Sequence, residues 1–90
     1  MTERRHEPLL PGFRDIAARR RGELAGQLVS RRHELGLSQT EVAAGMGTSQ
    51  SAVARIEAGA LDVRLSTLER YAAALGCSLE FRLGEEPAGR

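Results

Sequence analysis

Residues 37–59, LSQTEVAAGMGTSQSAVARIEAG, constrain the fold more than any other stretch of the chain. Ser38 followed three residues later by Glu41 is the pattern of a capping box: the serine oxygen accepts an open N–H of the first helical turn, and the glutamate reaches back to the serine N–H. Val42, Ala43 and Met46 then fall on one face at helical spacing. Gly47 supplies the left-handed backbone that lets a helix stop and turn. Ser49 is placed to cap a second helix, whose Val53 and Ile56 face back onto the first, and Gly59 ends it. Helices this short are not stable alone in water, so the pair must pack on each other and on further helices. The pattern predicts a helix-turn-helix, an arrangement whose second helix fits a DNA major groove.

The exposed first turn of that second helix, Ser49, Gln50, Ser51 and Ala52, carries no charge. A glutamine amide pairs bidentately with adenine, serine bonds to several bases, and alanine can meet a thymine methyl. The same residues also suit a capped surface turn with no partner, because helix-turn-helix geometry occurs as plain structure.

Three stretches, RRHELGLSQTEVA (31–43), GTSQSAVARIEAG (47–59) and LSTLERYAAALG (65–76), resemble the lambda-repressor-like family of bacterial and phage regulators (Cro/cI or XRE type). The resemblance spans residues 24–76. It implies a DNA-binding transcriptional regulator in which Gln39 holds a backbone phosphate. Gln50 is then the main base reader, with Ser51 and Arg55 next and Thr48 and Ser49 flanking. Arg55 reaches a guanine or only a phosphate. Ala54, where many members carry a longer side chain, makes readout at that position weaker. The resemblance further implies that Arg32 and Glu57 form a salt bridge tying the first helix to the recognition helix.

The rest of the chain is organised around this motif. Residues 1–11, MTERRHEPLLP, are polar and broken by proline and read as a tail. Phe13, Ile16 and Ala17 open helical spacing that continues as one long or kinked helix to Leu35, with Leu24, Leu28 and Leu35 as its buried stripe and Gly36 as its end. Val63 and Leu65 are expected to anchor the connection 60–65. Ser66 and Glu69 match a second capping box, and Leu68, Tyr71, Ala72 and Leu75 form the core stripe of a last helix ended by Gly76. Residues 78–83, SLEFRL, alternate polar and apolar and are the one strand candidate. A lone strand needs an edge, and the simplest is the same strand of a second copy, with Leu79, Phe81 and Leu83 at the dimer interface. Pairing with Leu9 and Leu10 is the competing reading, weakened by Pro8 and Pro11. The expected fold class is therefore mostly α: a lambda-repressor-like bundle of four to five helices with one C-terminal β-strand pairing across a dimer. The expected divisions are 1–18, a basic extension that is partly helical; 19–76, the DNA-binding domain; 77–84, the dimerisation strand; and 85–90, a disordered tail.

The net charge of +1 hides an asymmetry, since all thirteen cations are Arg. Residues 1–33 hold eight of them against four acids, and residues 34–90 hold five against eight. The basic part, including Arg19, Arg20 and Arg21, reads either as a solvated helix or as an arm that contacts phosphate or a partner. The single Cys77 has no disulfide partner and reads as a small core or boundary residue. With no signal peptide and no apolar run of transmembrane length, the chain reads as cytoplasmic and nucleoid-associated, with no membrane contact. His6 and His33 lack spacing for a metal, no cofactor is implied, and no nucleophile–base pair or phosphate loop points to an enzyme. Two functions remain. One is a dimeric repressor of a palindromic double-stranded operator. The other is an antitoxin that neutralises a toxin and represses its own promoter, since a basic extension, a compact helix-turn-helix and a terminal strand are similar to HigA- and HipB-like antitoxins.

Overall fold

The computed structural model describes residues 13–84, which form four helices: α1 (Phe13–Glu34), α2 (Gln39–Met46), α3 (Gln50–Glu57) and α4 (Leu65–Ala74). This is the mostly α helix-turn-helix bundle that the sequence predicts. The expectations for residues 1–11 and 85–90, and the pairing with Leu9 and Leu10, lie outside the described residues.

Short-range chemistry sets the helix ends. Ser38 Oγ accepts the Glu41 N–H at 3.0 Å, and the Glu41 carboxylate accepts the Ser38 N–H at 2.7 Å, so the first capping box is complete. Ser49 Oγ accepts the Ala52 N–H at 3.1 Å and opens α3. At the far end of α2, Gly47 sits at φ 73°. Its N–H goes back to Ala44 O and that of Thr48 to Ala43 O, the double bond of a Schellman turn. Helix α1 closes in the same way at Gly36 and α4 at Gly76.

The core is aliphatic with one ring at its centre. Leu28, Val42, Ala43, Met46, Val53, Ile56, Leu68, Ala72 and Leu75 are buried around Tyr71. Helix α2 packs on both α3 and α4, and α1 packs on α3. Burying this apolar surface is the main driving force available to helices of two or three turns.

Three local expectations are overturned. Leu35 is 41 % exposed, because α1 ends at Glu34 and Leu35 falls on the turn itself; the buried face runs instead through Ala25, Leu28 and Arg32. Helix α4 has Arg64 at its cap with no side-chain hydrogen bond, so Ser66 and Glu69 lie within its first turns and form no capping box. Leu65 is 47 % exposed and anchors nothing, whereas Val63 packs against the core. The connection is held by its backbone: Arg21 Nη1 donates to Val63 O at 2.6 Å. Arg64 follows with extended backbone at the cap of α4.

Beyond Gly76 the described residues run without a strand ladder, and among the described residues there is no other strand for them to pair with. Leu79 packs against the core, while Phe81 is 58 % exposed and Leu83 fully exposed.

Candidate nucleic-acid interface

Helix α3 has two unlike faces. Val53 and Ile56 are buried in the core. Gln50, Ser51 and Arg55 are exposed, and Ala52, Ala54 and Glu57 are half-buried between the two faces. A two-turn helix with one apolar face pinned to α2 and α1 presents its other face rigidly, as groove recognition requires.

The pinning is finished by a polar cluster at the C-terminal end of α3. Arg32, 8 % exposed, is the one buried charged residue among those described. Its Nε donates to Glu57 Oε2 at 2.7 Å and its Nη2 to Oε1 at 3.0 Å, a two-pronged pair between α1 and α3. Its remaining nitrogen, Nη1, donates to Leu37 O at 2.9 Å, in the turn that leads to α2. The Tyr71 hydroxyl, from α4, donates to Glu57 Oε2, and Gln39 Nε2, from α2, donates to Oε1 at 2.9 Å. All four helices thus meet on one carboxylate. No buried polar side-chain atom among the described residues lacks a partner.

These contacts set the ionisation of the cluster. Burial pushes the Glu57 carboxyl up, but hydrogen bonds from Arg32, Tyr71 and Gln39 outweigh it and hold the group below its ordinary value. The Tyr71 hydroxyl is pushed up to about 12, first by burial and then by its bond to the Glu57 carboxylate. The Arg32 guanidinium is raised by its bond to Glu57. The cluster is therefore a stable ion pair at neutral pH.

The cluster continues outward. Gln50 Nε2 donates to Gln39 Oε1 at 2.6 Å, so the two amides lie side by side at the exposed starts of α3 and α2. Ser49 Oγ and Ser51 Oγ are 3.2 Å apart beside them, and Thr48 is exposed at the turn. Arg55 turns away from the amides and pairs with Asp62 in the connection after α3. Ala54 adds no polar group. Of the residues named from sequence, Arg32, Gln39, Gln50 and Glu57 form one connected network, Thr48, Ser49 and Ser51 flank it, and Arg55 stands apart.

Three contacts were not read from sequence. The spacing of Tyr71 marks it as a core ring and is silent on its hydroxyl, although a buried tyrosine ordinarily finds a partner for its O–H. Arg21 was grouped with Arg19 and Arg20, yet it is half-buried and holds Val63 O, so the basic run does not act as a unit. Arg70 Nη2 donates to Met46 O at 2.9 Å and completes the C-terminal end of α2, where a cation also suits the helix dipole. Beside α3 an open groove lined by Thr48, Arg55, Asp62, Arg64, Thr67 and Arg70 carries three cations to one acid.

Among the described residues no group of three or more His, Cys, Asp or Glu side chains gathers as a metal site, and no helix is long and apolar enough to cross a membrane.

A helix-turn-helix family model matches residues 29–81, more than half of the chain. The antitoxin HigA1 of Mycobacterium tuberculosis, strain CDC 1551 / Oshkosh, is 43 % identical over 60 residues, which are 67 % of this chain and 40 % of that protein. The antitoxin HigA1 of strain ATCC 25618 / H37Rv matches to the same extent. The chain thus spans less than half the length of these curated relatives. No solved structure matches significantly.

Proposed function

Because the chain belongs to the XRE-type helix-turn-helix family, we propose that it is a sequence-specific DNA-binding regulator, acting as a dimeric repressor of a palindromic operator. The observation that carries this reading is the presentation of α3. Its exposed face offers Gln50, Ser51 and Arg55, with an uncharged first turn, while its other face and its end are locked by Val53, Ile56 and the Arg32–Glu57 pair. Gln50 is the base contact, Gln39 meets the phosphate backbone, and the cationic groove beside Arg55 follows the same strand. Repression by occupancy asks for no chemistry from the chain.

One recognition helix covers only a few base pairs, too few to select a site in a genome. Two copies on a two-fold axis double the reading and place half-site centres about 34 Å apart. Phe81 and Leu83, exposed on a segment that pairs with no strand among the described residues, are the surface for that pairing. Two such segments, joined antiparallel, would satisfy their backbone groups and bury both side chains.

Selection of bound sequences from a random DNA pool tests the reading. An enriched palindrome is the expected result, and failure to enrich any sequence defeats it. Sedimentation of the chain carrying Phe81→Glu and Leu83→Glu tests the dimer: the variant should be monomeric where the parent is dimeric.

The likeness to HigA1 antitoxins favours a second role in the same molecule, neutralisation of a toxin protein, with the basic stretch 1–23 as the contact. A small reading frame adjacent to the gene, whose product co-purifies with this chain, is the outcome that supports it. An adjacent product that does not bind the chain removes it.

A further inference from the structure

Among the described residues no backbone hydrogen bond reaches residues 78–84. A row of unpaired donors and acceptors is a template for another strand. The segment is held at one end only: Leu79 packs against the core, while Phe81 is 58 % exposed and Leu83 fully exposed. Leu79 is also one wall of a groove of about 160 Å³, shared with Leu24 and Leu28 of α1 and with Ala72 and Leu75 of α4. The groove opens where α1 and α4 approach, two helices that pack on each other less closely than α1 does on α3. A space of that size between aliphatic side chains takes a group of about six carbons.

We propose that this groove is the seat of Leu83 from a second copy of the chain, with the two 78–84 segments paired antiparallel about Phe81. The proposal rests on the dimer reading above and adds its register and its contact. Residues directly opposite each other in an antiparallel pair point to the same face. Two copies on a two-fold axis therefore bring their apolar faces together only when the axis passes through a residue and its own copy. Centring the pair on Glu80 sets Glu80 against the partner's Glu80, and centring it on Arg82 sets Arg82 against the partner's Arg82. Like charges directly opposed are destabilising. Centring on Phe81 uses the whole of 78–84 and sets Glu80 against the partner's Arg82 twice, once on each side of the axis. The two Phe81 rings then meet at the axis, and the partner's Leu83 lies opposite Leu79, about 5 Å away on the same face. Leu79 is a wall of the groove, so the partner's Leu83 falls on it. Each copy thereby fills the joint between α1 and α4 of the other, and pairing supports the bundle that presents α3.

Charge reversal in the full chain, read by sedimentation at low salt, separates the registers. Glu80→Arg alone and Arg82→Glu alone each oppose like charges on both sides of the axis and should weaken the dimer about three- to tenfold. The two changes together restore opposite charges and should return the dimer to within about twofold of the parent. In a register centred on Glu80 or on Arg82 the single changes only exchange one like pair for another or leave it alone, so an unchanged dimer overturns the register. Cross-linking tests the seat of Leu83. Two full-length chains, each with Cys77→Ala, carry Leu79→Cys or Leu83→Cys. Mixed and oxidised, they should form a disulfide-linked heterodimer, while neither should link to itself. Self-linking of the Leu79→Cys chain places the axis at Leu79 and overturns the proposal, and so does the absence of any link. A parent dimer that passes none of these tests is joined through another surface: the dimer stands and this contact falls. A parent that sediments as a monomer ends the dimer reading and the register together, in favour of a cover from its own chain.

Discussion

Helix α3 makes two arginine–carboxylate pairs of the same chemistry and opposite character. At Arg32–Glu57 the two side chains are 10 % and 9 % exposed, and at Arg55–Asp62 they are 57 % and 73 % exposed. The buried pair bridges α1 and α3, and every polar atom in it has a partner. Removing one member strands a charge where water cannot reach it. The exposed pair spans α3 and the following connection, in high dielectric and open to salt, where such contacts contribute about 0–1 kcal/mol. Burial and saturation, rather than the identity of the charges, decide which pair is part of the fold. An Arg held as loosely as Arg55 can exchange its carboxylate for a phosphate or a base at small cost.

The widest break in this comparison comes from Arg32→Ala, which leaves Glu57 buried without its main partner. Stability measured by urea denaturation should fall by about 3–5 kcal/mol. A loss below 1 kcal/mol would place the pair in the same class as Arg55–Asp62. Gln50→Ala should reverse the pattern: folding stability nearly unchanged, and affinity for the selected operator lower by about 1–3 kcal/mol in a titration at fixed salt. Binding equal to the parent would remove Gln50 from the interface.

Tyr71→Phe should cost about 1–2 kcal/mol, because it removes one donor to the carboxylate and leaves the ring in place. The same variant carries a pH signature. The Tyr71 hydroxyl is raised from 10.0 to about 12, so its contribution is complete below pH 10 and is lost as pH rises toward 12. The parent should therefore lose stability across that alkaline window more steeply than Tyr71→Phe. Glu57 runs the other way: its folded value is lowered, so its contribution is complete above the ordinary 4.5 and is lost as pH falls through the lower folded value. The smallest effect is expected from Asp62→Asn, with stability within about 0.5 kcal/mol of the parent and operator binding slightly tighter, because Arg55 is released. A large loss of stability in Asp62→Asn would show that exposure is a poor guide to the weight of these pairs.

The helix-turn-helix was legible because its signals are local. Ser38 with Glu41, Ser49 before Gln50 and Gly47 at the corner each act within one or two turns of backbone, and the structure shows each of them at its post. The same local logic misled at Ser66 and Glu69, whose spacing matches a capping box. The cap falls instead at Arg64, next to Val63, whose carbonyl is held by Arg21 from 42 residues away in sequence. Leu35 misled for a related reason. Its spacing from Leu28 suits a helical stripe, but the helix closes at Gly36 and the buried face passes through Arg32 instead.

By itself the sequence determined where all four helices end in glycine turns, which aliphatic side chains of α2, α3 and α4 form the core, and which turn of α3 lies open without charge. These follow from sterics and periodicity over a few residues. The family resemblance implied the Arg32–Glu57 pair, and only the tertiary structure decided which further polar groups meet it. Glu57 takes Arg32 from 25 residues before it, Gln39 from 18 before it and Tyr71 from 14 after it. No local pattern carries those separations. The packing of four apolar faces brings the donors to one carboxylate, and the need to satisfy a buried charge then fixes the orientation of each.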